Sequence, residues 1–295
     1  MPVLQPSFSV QRLALLGVGY IGGSAVLAAR RAGAVREVVG FDPSPAAGRA
    51  GVRLGVLDSV AETPQAAIAG ADLVLLAAPV RSLDNLLRLA ADAVAPTATV
   101  IDVGSVKAEV VATAETLLTG GRFVGCHPMA GAEFSGVEAA KADIFAGRVC
   151  FVYPGRRSCT SAVTMAEDFW RAIGCQAVTI DPETHDRMMA AQSHLPHVAS
   201  FALAGALIPS LSFLDATTKA ASPTTSLRDT TRIAASGPAV WRDILLANTK
   251  HVLPLIDDLQ ATVTEIRQAV ASGDGQALEE ILTRAQACRK RLVGE

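Results

Sequence analysis

Leu13-Ala14-Leu15-Leu16-Gly17-Val18-Gly19-Tyr20-Ile21-Gly22 is the stretch on which the fold turns. Four apolar residues read as a buried strand, and a G-x-G-x-x-G follows without a spacer and opens into the helix-forming run Ser24–Arg31. Each glycine has a physical task in such a passage. The first permits the tight turn, the second lets backbone approach a pyrophosphate, and the third lets the helix pack against the strand. Phosphate oxygens would then face free N–H groups at the helix start and the positive end of its dipole. Steric need alone also produces glycine-rich turns, so the neighbouring sequence has to decide.

A second strand, Val38–Phe41, ends in Asp42, twenty residues after Gly22. That is where an acid would accept hydrogen bonds from the adenosine ribose hydroxyls; the plainer reading is that Asp42 opens the Asp42-Pro43-Ser44-Pro45 turn. Strand, glycines, helix, strand and acid in this order predict a dinucleotide site using Gly17, Gly19, Tyr20, Ile21, Gly22 and Asp42. A carboxylate there would repel a 2′-phosphate, and the nearest base is Arg49, so NAD is expected rather than NADP.

Further outward, Leu73–Ala77, Val100–Val103, Phe123–Cys126, Val149–Val152 and Ala177–Ile180 are short Val/Ile/Leu-rich runs separated, early in the chain, by helical stretches. That alternation predicts right-handed βαβ units and a parallel sheet buried on both faces, with antiparallel pairing open for the later, irregularly spaced runs. After Asp181-Pro182-Glu183 helical periodicity takes over, in Glu183–Ile208, Ala239–Ser272 and Gln276–Leu292, while the Ser/Thr-rich Pro209–Pro223 reads as containing a loop. The expected architecture is α/β: a Rossmann-type dinucleotide-binding domain over residues 1–181 and an all-helical domain over residues 182–295.

Composition narrows the function classes. Half of the 295 residues are hydrophobic, aromatics make up only 4%, and the formal net charge is −2 with no Lys/Arg block, which gives no footprint for nucleic acid or anionic membrane. Cys126, Cys150, Cys159, Cys175 and Cys288 form no C-x-x-C pair, and the N-terminus has no basic segment leading into an apolar one. A soluble, cytoplasmic enzyme is the expectation.

Three segments carry candidate chemistry: Asp102-Val103-Gly104-Ser105-Val106-Lys107, Gly125-Cys126-His127-Pro128-Met129-Ala130-Gly131-Ala132-Glu133, and Ser193-His194-Leu195-Pro196-His197. The first two follow strands, where open α/β sheets bind ligands, so Ser105 and His127 are expected to face one crevice. On residues alone His127 also reads as a turn residue before Pro128, Ser105 as a helix N-cap, and Arg232 as a surface ion pair with Asp229. His185, His194 and His197 lack confirming metal-ligand spacing, so no metal is expected; of the last two, His194 reads as the hydrogen-bonded core residue.

The stretches GVGYIGGS, DVGSVK, HPMAGAEFSGVEAA, SHLPH and DTTRIAASGPAVW, in this order and spacing, resemble the prephenate/arogenate dehydrogenases of tyrosine biosynthesis from Leu13 to beyond Trp241. The resemblance implies that His127 takes the proton from the ring C4-hydroxyl while the hydride goes to NAD, and that Ser105 bonds near that histidine and the nicotinamide. It further implies that His197 and Arg232 bind substrate, the arginine through a carboxylate, that Glu133 stands at the mouth of the site, and that Trp241 can reach a partner subunit's pocket. A homodimer through the helical domain follows from the same resemblance, and the chain is too short for the fused mutase or regulatory domains of some relatives.

Two departures fall beside the substrate. Thr224-Thr225-Ser226-Leu227 stands where the family commonly has glycines followed by Phe, and Ala132 stands where many relatives carry a hydroxyl. They leave open whether prephenate, arogenate or both are used. The competing readings are a β-hydroxyacid or imine reductase, which would need a supported lysine in the helical half, and a non-catalytic NAD sensor.

Overall fold

The computed structural model describes residues 8–131, 134–210 and 224–294. The strands are β1 (Val10–Leu16), β2 (Val35–Phe41), β3 (Ser59–Val60), β4 (Leu73–Leu76), β5 (Thr99–Asp102), β6 (Phe123–Pro128), β7 (Val149–Pro154) and β8 (Gln176–Thr179). They form one sheet in the order β3-β2-β1-β4-β5-β6-β7-β8. Every neighbouring pair is parallel except β6 and β7, which run antiparallel.

The sheet is buried on both faces for the reason its sequence suggests. Leu13 and Leu15 of β1 join Leu73 and Leu75 of β4 in one core cluster, while Ala14 and Leu16 join Val74 and Leu76 in the other. Side chains alternate across a strand, so a continuous apolar run feeds two cores at once. The flanking helices are α1 (Tyr20–Arg31), α2 (Pro45–Arg53), α3 (Pro64–Ile68), α4 (Val80–Ala93), α5 (Ala108–Leu117) and α6 (Thr160–Ala172).

Helices then dominate: α7 (Pro182–Met189), α8 (Leu195–Ser210), α9 (Thr225–Thr231), α10 (Pro238–Ala247), α11 (Thr249–Ser272) and α12 (Gly275–Val293). Asp181 caps α7, its carboxylate accepting from Thr184 N at 2.9 Å. A single π-helical turn, Ala190–His194, joins α7 to α8, so the stretch expected as one regular helix is widened in its middle. The stretch expected over Ala239–Ser272 is broken at Asn248, whose side chain is turned inward to bond Asp186 and His194. Of the expected Pro209–Pro223 loop, 209–210 continue α8 and 211–223 lie outside the described residues.

Helix α10 docks the helical half onto the sheet half: Trp241 and Ile244 bury against Val106, with Val80 alongside. Elsewhere the helical surface is less covered. Leu246, Leu253, Val263, Val270 and Leu282 are each more than half exposed in the single chain. None of the described helices is long and apolar enough to cross a membrane.

Candidate active site

The strand order reverses between β2 and β4 on either side of β1, and the glycine loop leaves β1 at that switch point. Gly17 has φ +101°, and a Cβ there would lie 2.4 Å from Ala77 O. Gly22 is equally constrained, since its Cβ would meet Ala77 Cβ at 2.7 Å and Leu15 Cδ1 at 2.9 Å. Gly19 differs: a Cβ there would meet nothing within 4 Å. Chain packing therefore accounts for the first and third glycines and leaves the second to something outside the chain, as a pyrophosphate would require. Helix α1 begins immediately after, with no side-chain cap and no acid in its first turn, so the positive end of its dipole is not offset by a side chain there. Tyr20 is buried beside Phe134, and Ile21 packs partly into the core.

Asp42 shapes this loop from the end of β2. One carboxylate oxygen accepts from Val18 N and the other from Ser44 N, both at 2.8 Å. It thus opens the Asp-Pro-Ser-Pro turn and at the same time holds the glycine loop. The residues of this loop fit a dinucleotide.

The second part of the cleft lies at the carboxyl ends of β5 and β6. Asp102 closes β5 and is fully buried; it accepts from Gly104 N at 2.8 Å and Cys126 N at 2.9 Å, and it pairs with the buried ammonium of Lys107. That ion pair sets the path of the loop carrying Ser105. Ser105 is partly exposed and is not the cap of α5. Asp186 of α7 takes that role, its carboxylate accepting from Lys107 N and Ala108 N at 2.8 Å each. Ser105 Oγ makes no hydrogen bond among the described residues.

His127 stands within β6, in register with Phe151 of β7, and not past the strand end as the apolar run suggested. The strand continues through it because β7 pairs alongside. Its Nδ1 lies 2.9 Å from Nε2 of His185, whose own Nδ1 is 2.8 Å from Asp186 Oδ1. Burial, with His185, Lys107 and His194 nearby, holds the His127 pKa well below the usual histidine value of 6.5. A neutral imidazole is therefore available at pH 7.

The third part is helical. His197, on α8, donates from Nδ1 to Ser193 O at 2.8 Å and stacks on Trp241 with ring centroids 3.5 Å apart. Burial and the nearby positive charge of Arg232 lower its pKa, against the pull of the Ser193 carbonyl. Arg232 opens the turn after α9 and is exposed, and it makes no ion pair with Asp229 or any other described acid. Ser200 Oγ donates to Thr230 O at 2.9 Å and so ties the end of α9 to α8. Trp241 is only 9% exposed and is packed inside its own chain, where the resemblance extended it toward a partner. Thr224, at the first departure from the family pattern, caps α9 by accepting from Leu227 N. Glu133 and Ala132 lie outside the described residues.

His194 is buried, receives a hydrogen bond at Nδ1 from Asn248 Nδ2 at 3.0 Å, and has its pKa pushed down to about 4, mainly by burial. It is the packed core histidine of its pair. His185 and Asp186 are the residues that reading the sequence missed. The available signal was a His-Asp dipeptide one turn after a helix cap, which carries no information about where that helix docks.

A geometry of glycine loop, histidine and arginine is informative only alongside the identity of similar chains. The family description "Prephenate dehydrogenase, nucleotide-binding domain" matches residues 25–179, and "Prephenate dehydrogenase, dimerization domain" matches residues 181–284. The chain is 33% identical over 282 residues to a cyclohexadienyl dehydrogenase of Zymomonas mobilis, covering 96% of each. It is 34% identical over 266 residues to a prephenate dehydrogenase of Bacillus subtilis, covering 90% of this chain and 71% of that one. A crystal structure of prephenate dehydrogenase from Aquifex aeolicus, in complex with hydroxyphenyl propionate and NAD+, superimposes with a TM-score of 0.86 at 31% identity, over 97% of this chain and 99% of that one. With both halves matched in order and full-length relatives above 30% identity, the chain belongs to the prephenate dehydrogenase family.

Proposed function

We propose that the chain carries out the NAD-dependent oxidative decarboxylation of prephenate to 4-hydroxyphenylpyruvate. The observation that carries the reading is His127: a neutral imidazole at the carboxyl end of β6, on the same sheet edge as the Gly17–Gly22 loop and the Ser105 loop. When bound, NAD supplies the acceptor for the hydride leaving ring C4. Gly17, Gly19, Tyr20, Ile21 and Gly22 would hold its pyrophosphate at the start of α1, with Asp42 toward the ribose hydroxyls. His127 removes the proton of the C4-hydroxyl. Loss of the ring carboxylate as CO₂ leaves a phenolate, to which His127 returns that proton, so the base ends as it began. Ser105 positions the reacting groups from the β5–α5 loop, Arg232 grips a substrate carboxylate, and His197 with Trp241 forms the wall beside it, with Glu133 toward the mouth.

The division of labour proposed is nucleotide binding by residues 1–181 and substrate binding and dimerisation by residues 182–295. Arogenate is the second reading. The related Zymomonas mobilis protein is named a cyclohexadienyl dehydrogenase, and Thr224–Leu227 alter the side that touches the substrate's side chain. NADH formation measured with each substrate, crossed with NAD and NADP, decides both questions. Prephenate with NAD is expected to give the highest kcat/KM. NADP should be disfavoured by about 10²-fold, because a phosphate set against the Asp42 carboxylate costs several kcal/mol. A NADP/NAD ratio above one overturns the cofactor assignment, and turnover of arogenate alone overturns the substrate.

The homodimer is supported by the matched dimerization domain and by the uncovered leucines and valines of α10, α11 and α12. Its check is the solution mass: light scattering should give twice the 30.5 kDa of one chain at micromolar concentration, and a monomer would refute it. Cytoplasmic location is part of the same proposal and accords with five free cysteines.

A further inference from the structure

We infer that His185 is a positioning residue that fixes His127 as its Nδ1–H tautomer and so presents a bare Nε2 to the substrate. This rests on His127 being the base proposed above. Asp186 sets the direction of the chain of hydrogen bonds, since its oxygens already accept from Lys107 N and Ala108 N. A carboxylate only accepts, so the 2.8 Å contact from His185 Nδ1 must be a donated N–H. With its one ring proton donated there, His185 carries its lone pair on Nε2. The 2.9 Å contact between that atom and His127 Nδ1 needs a donor, which only His127 can supply. His127 Nε2 is left without a proton, and it makes no hydrogen bond among the described residues.

The surroundings leave His185 little freedom. It is fully buried, with Tyr153, Phe151 and His127 meeting its ring edge to face at centroid distances of 4.9, 5.7 and 5.1 Å. An apolar residue would fill this space without the cost of burying two ring nitrogens. Asn248 Nδ2 donates at 2.8 Å to the backbone carbonyl of Asp186, and Asp181 caps the helix that carries both residues. Helix α7, although it belongs to the helical half of the chain, is thereby locked to the strand bearing the base. As His127 takes up a proton it gains charge while its Nδ1–H already points at a lone pair, and a base oriented by a third group is a recurrent arrangement.

The test compares His185→Leu, which removes the acceptor, with His185→Gln, whose amide oxygen can still accept from His127 Nδ1–H. In His185→Leu, kcat should fall by about 10²-fold, near the low end of what a positioned base contributes. Substrate KM and NAD Kd should stay within about threefold. His185→Gln should recover most of the rate. Nitrogen-15 NMR of the unsubstituted protein should show His127 protonated at Nδ1 and bare at Nε2, and His185→Leu should shift it toward Nε2–H. A wild-type His127 found as the Nε2–H tautomer overturns the inference even if no variant folds. So does a folded His185→Leu with unchanged kcat. Full activity in His127→Asn would instead refute the base itself, leaving the tautomer measurement to judge the hydrogen-bond chain.

Discussion

Replacing His127 with Asn is expected to lower kcat by about 10³-fold, inside the 10²–10⁴ that general base catalysis contributes. Asn keeps an amide that can reach His185 but has no lone pair of suitable basicity, so the site stays built while the proton acceptor is lost. The Kd for NAD should not change, because the glycine loop and Asp42 are untouched. Steady-state turnover with prephenate, beside a fluorescence titration with NADH, checks both. A kcat within tenfold of wild type would remove the base from the mechanism, and joint loss of nucleotide binding would mean that the fold had been damaged. The same residue sets the pH dependence. The base works only when neutral, and its pKa lies well below 6.5 because burial disfavours the imidazolium. In the wild type kcat/KM should therefore remain level as pH falls through 6.5 and decline only at lower pH; an acid limb at 6.5 or above would contradict that environment.

Replacing Arg232 with Gln should reduce kcat/KM for prephenate by about 10²–10³-fold, chiefly through KM. Removing one partner of a hydrogen-bonded charge pair that the bound substrate itself covers costs about 2–5 kcal/mol, and each 1.4 kcal/mol is a factor of ten. No described carboxylate of the chain occupies this guanidinium, so its charge is available to a ligand. Its charge is close enough to His197 to lower that histidine's pKa, which supports the proposed place beside the substrate. Arg232→Lys should recover only part of the loss, since an ammonium cannot form the planar two-point pair. The KM for NAD should hold. A substrate KM within threefold of wild type in Arg232→Gln would place the carboxylate elsewhere.

The linear sequence was most legible where one local rule suffices. Two apolar faces alternating along β1 and β4 dictate a doubly covered sheet, and Gly17 and Gly22 follow the steric needs of one turn. It was less legible where an element is very short or is held only by its neighbour. Strand β3 is just Ser59–Val60 at the sheet edge, too brief for periodicity to register, and His127 joins β6 only because β7 pairs beside it. The helix-cap reading of Ser105 failed for a similar reason. The capping carboxylate of Asp186 stands 78 residues from the amide of Ala108 that it serves.

The sequence alone therefore determined the α/β class, the glycine loop and the change to helices after Asp181, which depend on contacts within a few turns of chain. His127 was singled out by the resemblance to a family and not by its neighbours in the chain. Only the tertiary structure decided which nitrogen of His127 faces outward, because that follows from Asp186 acting through His185, two residues on a helix from the other half of the molecule. Hydrogen-bond direction is set by what lies 2.8–2.9 Å away in space, and spacing along the chain does not encode it.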